Sequence, residues 1–223
     1  MPLILNIETS STICSVCLAR DGKLLDYRED MQGNSHARVL TVFIEDLMQK
    51  NNLAFNQLDA VAVSSGPGSY TGLRIGTSTA KGLCYALNKP LIAVPTLFAM
   101  ADGVMKQMNE PMAVFMPALD ARRMDIYTAV FDSDGKEVIK TQAVTVNETL
   151  AAQLVSFNNL FVFGSGAEKC KEIFKFDSAH FIPGINCDAR FMIQVSEDKA
   201  RKGQFEDLAY FEPDYLKEFG AKT

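Results

Sequence analysis

The first half of the chain alternates short apolar segments with longer amphipathic ones, a pattern typical of an α/β protein. Apolar runs and alternating apolar positions predict strands at residues 3–7, 13–19, 23–28, 58–64 and 91–94. Apolar residues at helical spacing predict helices at residues 35–50 and 71–87, and a third helix that opens near Pro95. Three strands ahead of alternating helices and strands favour a mixed sheet with an antiparallel hairpin at one end.

The second half repeats the opening of the chain. The apolar run 114–119 ends at Asp120, as the run 3–7 ends at Glu8. The turn at residues 134–136 matches the turn at residues 21–23, since both read Asp-Gly-Lys. The acidic residues lie 112 positions apart and the turns 113, so both features keep nearly the same register. One shared hairpin turn is a common coincidence, but the two features together favour an internal duplication.

Two lobes of the order β-β-β-α-β-α, each with an acidic residue after its first strand, describe the actin, hexokinase and Hsp70 architecture. We therefore expect a duplicated actin-like (ASKHA, ribonuclease H-like) α/β fold, in which helices cover mixed sheets. The expected lobes are residues 1–108 and 109–223. We expect the C-terminal lobe to be reduced, because its predicted helices at 147–155 and 167–174 are short; an irregular stretch and a helix near 189–201 follow.

Composition narrows the class of function. The 223 residues carry a formal net charge of −5, which provides no overall attraction to nucleic acid or to an anionic membrane. The chain opens on a predicted strand rather than on the features of a signal peptide, and no apolar run approaches the roughly 20 residues that span a bilayer. Five cysteines spread over the chain do not resemble a disulfide framework, so we expect a cytoplasmic protein.

A glycine-rich turn joins the predicted strand 58–64 to the helix that follows it. It reads SSGPGSYTGLRIG from Ser64 to Gly76, but its glycine spacing is one residue too long for a P-loop and no lysine follows Gly72. A tight turn explains Gly66, Pro67 and Gly68. It does not explain the small residues at 72, 76 and 80, which form a stripe that would let another helix approach closely.

Within this turn the sequence resembles a known family. GPGSYTGLRIG is similar to the GPGS(F/Y)TGLRIG motif of the TsaB/YeaZ family. Residues 4–10 (ILNIETS) resemble the first strand of that family, Asp120-Ala121-Arg122-Arg123 its second-lobe opening, and residues 213–216 (PDYL) its tail. These segments occur in order along nearly the whole chain. The motif turn comprises Gly66, Pro67, Gly68, Ser69, Tyr70, Thr71 and Arg74.

The resemblance implies a non-catalytic subunit. It would bind and activate a TsaD-like catalytic subunit, together with a TsaE-like ATPase, for threonylcarbamoylation of adenosine 37 in tRNAs that read codons beginning with A. The chain would form a homodimer when alone and reach tRNA through the complex. No cofactor is firmly implied, although ATP or ADP could bind at the interface with TsaD.

Two kinds of enzyme stay open beside this interpretation. A stand-alone actin-like ATPase or kinase would use Glu8, Thr9, Ser10 and Asp120 around a phosphate, although many relatives carry Asp where this chain has Glu8. A structural role for these acidic strand ends is equally compatible with the sequence. A metallopeptidase is disfavoured, because Leu40 stands where the motif His-x-x-x-His from His36 would need its second ligand.

The helix at 35–50 carries more apolar surface than one sheet needs. Its apolar residues span an arc of roughly 240°, against about 100° for an ordinary surface helix. A neighbouring helix could bury the excess; a partner protein is the other explanation. We expect a partner or dimer interface formed by Val39, Leu40, Phe43, Ile44, Leu47, Gly72, Gly76 and Ala80. Arg74, Arg122 and Arg123 are candidates for tRNA contact.

Overall fold

The computed structural model describes residues 2–33, 35–108 and 110–217. The chain forms two compact units: Met1–Thr96 with Cys187–Tyr215, and Leu97–Asn186 with Leu216–Thr223. In chain order the strands and α-helices are β1 (Leu3–Glu8), β2 (Cys14–Arg20), β3 (Lys23–Asp30), α1 (His36–Lys50), β4 (Ala60–Ser64), α2 (Tyr70–Leu87), β5 (Leu91–Val94), α3 (Thr96–Met108), β6 (Val114–Asp120), β7 (Asp125–Asp132), β8 (Glu137–Thr145), α4 (Glu148–Leu154), β9 (Leu160–Phe163), α5 (Ala167–Lys171), β10 (Ala179–Ile182) and α6 (Ile193–Arg201). Short 3₁₀ helices lie at Phe55–Gln57 and Ala189–Met192. The expected division into lobes at residue 108 stays a prediction.

The first unit is built on a five-stranded sheet of order β3-β2-β1-β4-β5. β1, β2 and β3 pair antiparallel, while β4 and β5 run parallel to β1. The hairpin between β2 and β3 turns at Asp21 and Gly22, both with positive φ (53° and 70°), as tight hairpin turns require. The predicted mixed sheet with a hairpin at one end is confirmed.

Both faces of this sheet are covered, which explains why every residue of β1 is buried. Leu3, Leu5 and Ile7 lie in a core cluster with Leu40 and other residues of α1 and α2. On the other face, Asn6 accepts a hydrogen bond from Ser196 of α6 at 2.7 Å. The period-2 alternation of a strand therefore divides β1 between two helical layers.

The second unit repeats this arrangement. Its sheet has the order β10-β9-β6-β7-β8, which read from β8 is the same order as in the first unit. β6, β7 and β8 pair antiparallel, and β9 and β10 run parallel to β6. Its α4 and α5 have 7 and 5 residues, against 15 and 18 for α1 and α2. The duplication and the reduced second lobe are thus confirmed.

One expectation from the sequence is wrong. The irregular stretch predicted after residue 174 contains β10, which pairs parallel with β9 at the edge of the sheet. Its four residues are half-buried or exposed, so they show neither a buried run nor a clean alternation. Among the described residues, no helix is long and apolar enough to cross a membrane.

Candidate functional site

The glycine motif packs against the turn that follows β1. The backbone N–H of Ser69 donates to the carbonyl of Ser10 at 2.6 Å. A Cβ added at Gly68 would overlap the backbone of Ser10, and one added at Gly72 would overlap the carbonyl oxygen of Thr9. At Gly76 an added Cβ would overlap Thr9 Oγ1. The motif glycines therefore permit close approach of α2 to this turn.

The first two glycines of the motif are required for different reasons. Gly66 has φ 104°, a conformation that favours glycine. The φ of Gly68 is not positive, and glycine is required there because a side chain would overlap Ser10. The stripe at 72 and 76 meets the turn after β1, and Ala80 is fully buried in the core of the first unit.

The start of α2 carries a stack of side chains. Ser69 is the N-cap, and its hydroxyl accepts from the backbone N–H of Gly72 at 3.3 Å. The Arg74 guanidinium lies over the ring of Tyr70, with Cζ 4.4 Å from the centroid. On the tail, the Tyr215 ring lies 4.9 Å from that of Tyr70. Thr71 and Arg74 are exposed, so this corner presents a cation and a hydroxyl to solvent.

Three of the predicted phosphate-binding residues are brought together but are buried. Glu8 and Ser10 are 2% exposed and Thr9 is 0% exposed. The backbone N–H of Ser10 donates to the Glu8 carboxylate at 2.6 Å, and that of Thr9 donates to Ser64 Oγ at 3.3 Å. Both N–H groups that would cradle a phosphate are thus already engaged. The residues of this turn, as folded, do not fit a nucleotide phosphate.

Burial also governs the charge of Glu8. Desolvation raises the pKa of its carboxyl, while the hydrogen bond from the backbone N–H of Ser10 acts in the opposite direction. Asp188 adds a smaller repulsion that also raises this pKa. A carboxyl group with a raised pKa is a weak ligand for a metal–phosphate complex, because it tends to stay protonated.

The fourth predicted residue, Asp120, lies in the second unit at the end of β6. Its side chain is 48% exposed and pairs with Lys169 at 2.9 Å. Its backbone N–H donates to Ser165 Oγ at 3.1 Å, and the N–H of Gly166 donates to Ala118 at 2.8 Å. The glycine turn after β9 thus packs on the end of β6, as the motif packs on the end of β1.

The residues predicted for a partner interface are mostly interior. Leu40, Ile44, Leu47 and Ala80 are at most 2% exposed. Gly72 and Gly76 are buried as well, while Val39 and Phe43 are half-buried against the same core. The apolar excess of α1 is therefore used largely inside the first unit. Large apolar side chains that remain exposed on α1 and α2 are Val42 at 58% and Tyr85 at 83%.

The histidine of α1 and the two cysteines of β2 are interior residues. His36 is buried at the start of α1, and Cys14 and Cys17 are buried in β2. Cys17 Sγ contacts the carbonyl of Ala189 at 3.3 Å. In the part of the chain that the structure describes, no three His, Cys, Asp or Glu side chains group as metal ligands.

Two lysines that organise the turn between β6 and β7 were not predicted from the sequence. Lys169 donates to the carbonyl of Asp125 at 3.0 Å in addition to its ion pair with Asp120. Lys217 donates to the carbonyl of Ala121 at 3.1 Å and to the Asp125 carboxylate at 2.6 Å. Both lie more than forty positions from the turn (|i−j| 44 and 92), and neither stands in a recognisable motif. Lys169 reaches the turn from α5 and Lys217 reaches it from the C-terminal tail.

Comparison with known proteins places the chain in a family. The family model "TsaD: tRNA N6-adenosine threonylcarbamoyltransferase" matches residues 30–223. The protein of Escherichia coli K12 named "tRNA threonylcarbamoyladenosine biosynthesis protein TsaB" is 27% identical over 220 residues, which cover 96% of this chain and 94% of that protein. The chain belongs to the TsaB/YeaZ branch of the TsaD family. A Bacillus subtilis TsaB is 31% identical over 135 residues, 57% of this chain and 54% of that protein.

Solved structures agree with the TsaB/YeaZ assignment at the level of the fold. YeaZ from Pseudomonas aeruginosa superimposes with a TM-score of 0.83 over 97% of this chain and 100% of that chain, at 24% identity. An activator of 2-hydroxyisocaproyl-CoA dehydratase from Clostridium difficile, solved with bound ADPNP, has a TM-score of 0.54 and 10% identity over 91% and 97% of the two chains. The predicted actin-like fold is confirmed.

Proposed function

We propose that this chain is a non-catalytic accessory subunit in tRNA threonylcarbamoyladenosine synthesis, which binds and activates a TsaD-like enzyme. The accessory role is supported by the similarity to a protein named for this biosynthesis over 96% of the chain. In the proposed complex the enzyme modifies adenosine 37 of tRNAs that read codons beginning with A. A TsaE-like ATPase, a homodimer in the absence of the enzyme and a cytoplasmic location belong to the same proposal.

The observation that carries the non-catalytic part is the closed turn after β1. Thr9 and Ser10 are buried, their N–H groups are engaged within the chain, and α2 stands directly against them. A phosphate could enter only if α2 moved away. The proposal therefore places any ATP or ADP at the interface with the TsaD-like partner rather than in this turn.

The partner surface that we propose consists of α1 and α2. Two predicted members of this surface, Ile44 and Gly76, are buried. A charge or a bulky side chain at either position would disrupt the core, so such a variant would not report on partner binding. Val42 and Tyr85 are exposed apolar residues on the same two helices and are suited to a protein contact. Val39 and Phe43 are half-buried and pack against the core, and they contribute further apolar surface to this face.

The proposal is tested in cells that lack this chain and by co-purification with the TsaD-like subunit. Wild-type chain should restore threonylcarbamoyladenosine in digested tRNA, measured by mass spectrometry of nucleosides. Val42→Glu should weaken co-purification and lower the modification. Val155→Glu is the matched control, because Val155 is similarly exposed at 54% against 58% and lies after α4 in the second unit.

The competing function, a stand-alone actin-like ATPase or kinase, makes the opposite prediction. Purified chain without partner would then bind ATP tightly and turn it over. That result, or normal tRNA modification in cells without the chain, overturns the accessory role. Equal loss in Val42→Glu and Val155→Glu would overturn the assignment of the partner surface to α1 and α2.

A further inference from the structure

The turn between β6 and β7 holds two consecutive arginines in an unusual backbone conformation. Arg122 has φ 70° and Arg123 has φ 47°. This left-handed region costs an ordinary L-residue about 1 kcal/mol or more, and glycine or asparagine adopts it more readily. The backbone of the turn therefore does not explain why arginine stands at both positions.

The turn is rigidly supported from below. The N–H of Ala121 donates to the carbonyl of Asp125 at 3.0 Å, and the N–H of Asp125 donates to that of Arg122 at 3.0 Å. Thr145 Oγ1 and Lys217 both donate to the Asp125 carboxylate at 2.6 Å, which holds the pKa of that carboxyl low. A loop fixed in this way loses little conformational freedom when its side chains bind a ligand.

The charges of the turn are unequally matched. Asp120 and Asp125 each have a lysine partner, Lys169 and Lys217 respectively. Arg122 and Arg123 are both exposed, and the Arg122 side chain makes no ion pair with any residue in the ranges 2–33, 35–108 and 110–217. The charge of Arg122 is thus additional to the two ion pairs and is a local positive charge on a chain whose formal net charge is −5.

We propose that the Arg122–Arg123 turn contacts backbone phosphates of the tRNA on which the proposed complex acts, an inference that rests on the proposed function. A guanidinium group matches a phosphate with two parallel hydrogen bonds. Protein interfaces usually add an apolar core to such charges. Here the exposed apolar neighbour on the turn is Met124 alone, at 41%, whereas interfaces with nucleic acid are more polar and more positively charged.

The test uses the purified complex of the chain with its TsaD-like partner and an unmodified tRNA transcript. Affinity is measured at several salt concentrations for wild type and for Arg122→Gln/Arg123→Gln. Removal of each phosphate contact should reduce the steepness of log K against log salt by about 0.7–0.9 and lower affinity at low salt roughly tenfold. The control Arg20→Gln/Lys23→Gln removes the same charge from exposed positions of the first unit and should behave as wild type.

The outcomes separate this proposal from the proposed function. If wild-type chain forms no complex and supports no tRNA modification, both proposals fail. If the complex forms and modifies tRNA but the arginine variant keeps the wild-type salt dependence, only the phosphate contact is overturned. If the arginine variant loses the TsaD-like partner while the control keeps it, the turn recognises protein, and the tRNA contact is again overturned.

Discussion

At the scale of single residues, Glu8 illustrates how burial sets chemistry. Its carboxyl lies at the end of β1 with 2% of the residue exposed, and within the described part of the chain it has no ion pair. The backbone N–H of Ser10 donates to it at 2.6 Å in place of a cation. Asp125 is the opposite case, because the Lys217 ammonium and the Thr145 hydroxyl hold its pKa below the usual range.

The pKa of Glu8 predicts a pH dependence of stability. Because the pKa in the folded chain lies above the ordinary value of 4.5, folding favours the protonated form. The stabilisation is complete below pH 4.5 and is lost as the pH rises through the folded pKa. Glu8→Gln cannot ionise, so its free energy of unfolding relative to wild type should increase from pH 4 to pH 8, by up to about 1.4 kcal/mol per unit of pKa difference.

Urea denaturation at a series of pH values measures this difference. The pKa values of other carboxyls, such as those of Asp46 and Asp125, are lowered in the folded chain. Their contribution to the free energy of unfolding is lost in acid equally in wild type and in Glu8→Gln, so it cancels in the difference between the two. Glu172→Gln, at an exposed position, is the control for the substitution itself. A pH-dependent difference no larger for Glu8→Gln than for Glu172→Gln would show that burial does not perturb the Glu8 carboxyl.

At the scale of elements, α2 is defined by what it packs against. Its first two turns carry glycines because the turn after β1 leaves no space for a Cβ at 72 or 76. Gly82, two turns further on, has no atom within 4 Å of an added Cβ. The same helix therefore contains glycines required by packing and one that packing does not require.

This contrast predicts opposite effects of one substitution. Gly76→Ala should destabilise the chain by about 1–3 kcal/mol, because the new methyl overlaps Thr9 Oγ1 in a tightly packed contact. Gly82→Ala should stabilise it by up to about 1 kcal/mol, since alanine has the higher helix propensity. Chemical denaturation followed by circular dichroism measures both. A stabilised Gly76→Ala would contradict the packing role of the motif.

At the scale of the whole molecule, the two units share one topology but differ in elaboration. Each sheet has three antiparallel strands followed by two parallel ones, with a glycine turn packed on the end of its first strand. The first unit has long helices and an additional layer from α6, whereas the helices α4 and α5 of the second unit are short. Five free cysteines are distributed over both units and all are buried.

The cysteines provide a probe of global unfolding. Desolvation raises the pKa of Cys84 to about 11 and those of Cys14 and Cys170 to about 12, and it also raises those of Cys17 and Cys187. Because the thiolate is the reactive form, native chain at pH 8 should react with Ellman's reagent only at the rate of unfolding. All five thiols should react at once in guanidinium chloride. Rapid reaction of native chain would show that a cysteine is accessible.

The sequence alone determined the succession of strands and helices along the first half of the chain, the duplication and the family. Local periodicity, the repeated Asp-Gly-Lys turns and the glycine motif are all patterns of neighbouring residues. Such short-range patterns can be recognised without knowledge of packing. Strand β10 was not predicted, because its four half-buried or exposed residues show no distinct pattern.

Only the tertiary structure decided which residues are available for function. Ile44 and Leu47 resemble surface candidates on a helical wheel, but the core that α1 forms with the sheet and α2 buries them. Glu8, Thr9 and Ser10 resemble a phosphate turn until α2 is placed on top of them. Lys169 and Lys217 reach the Arg122–Arg123 turn from distant positions in the chain. Burial and long-range contact depend on the whole fold, and no local pattern encodes them.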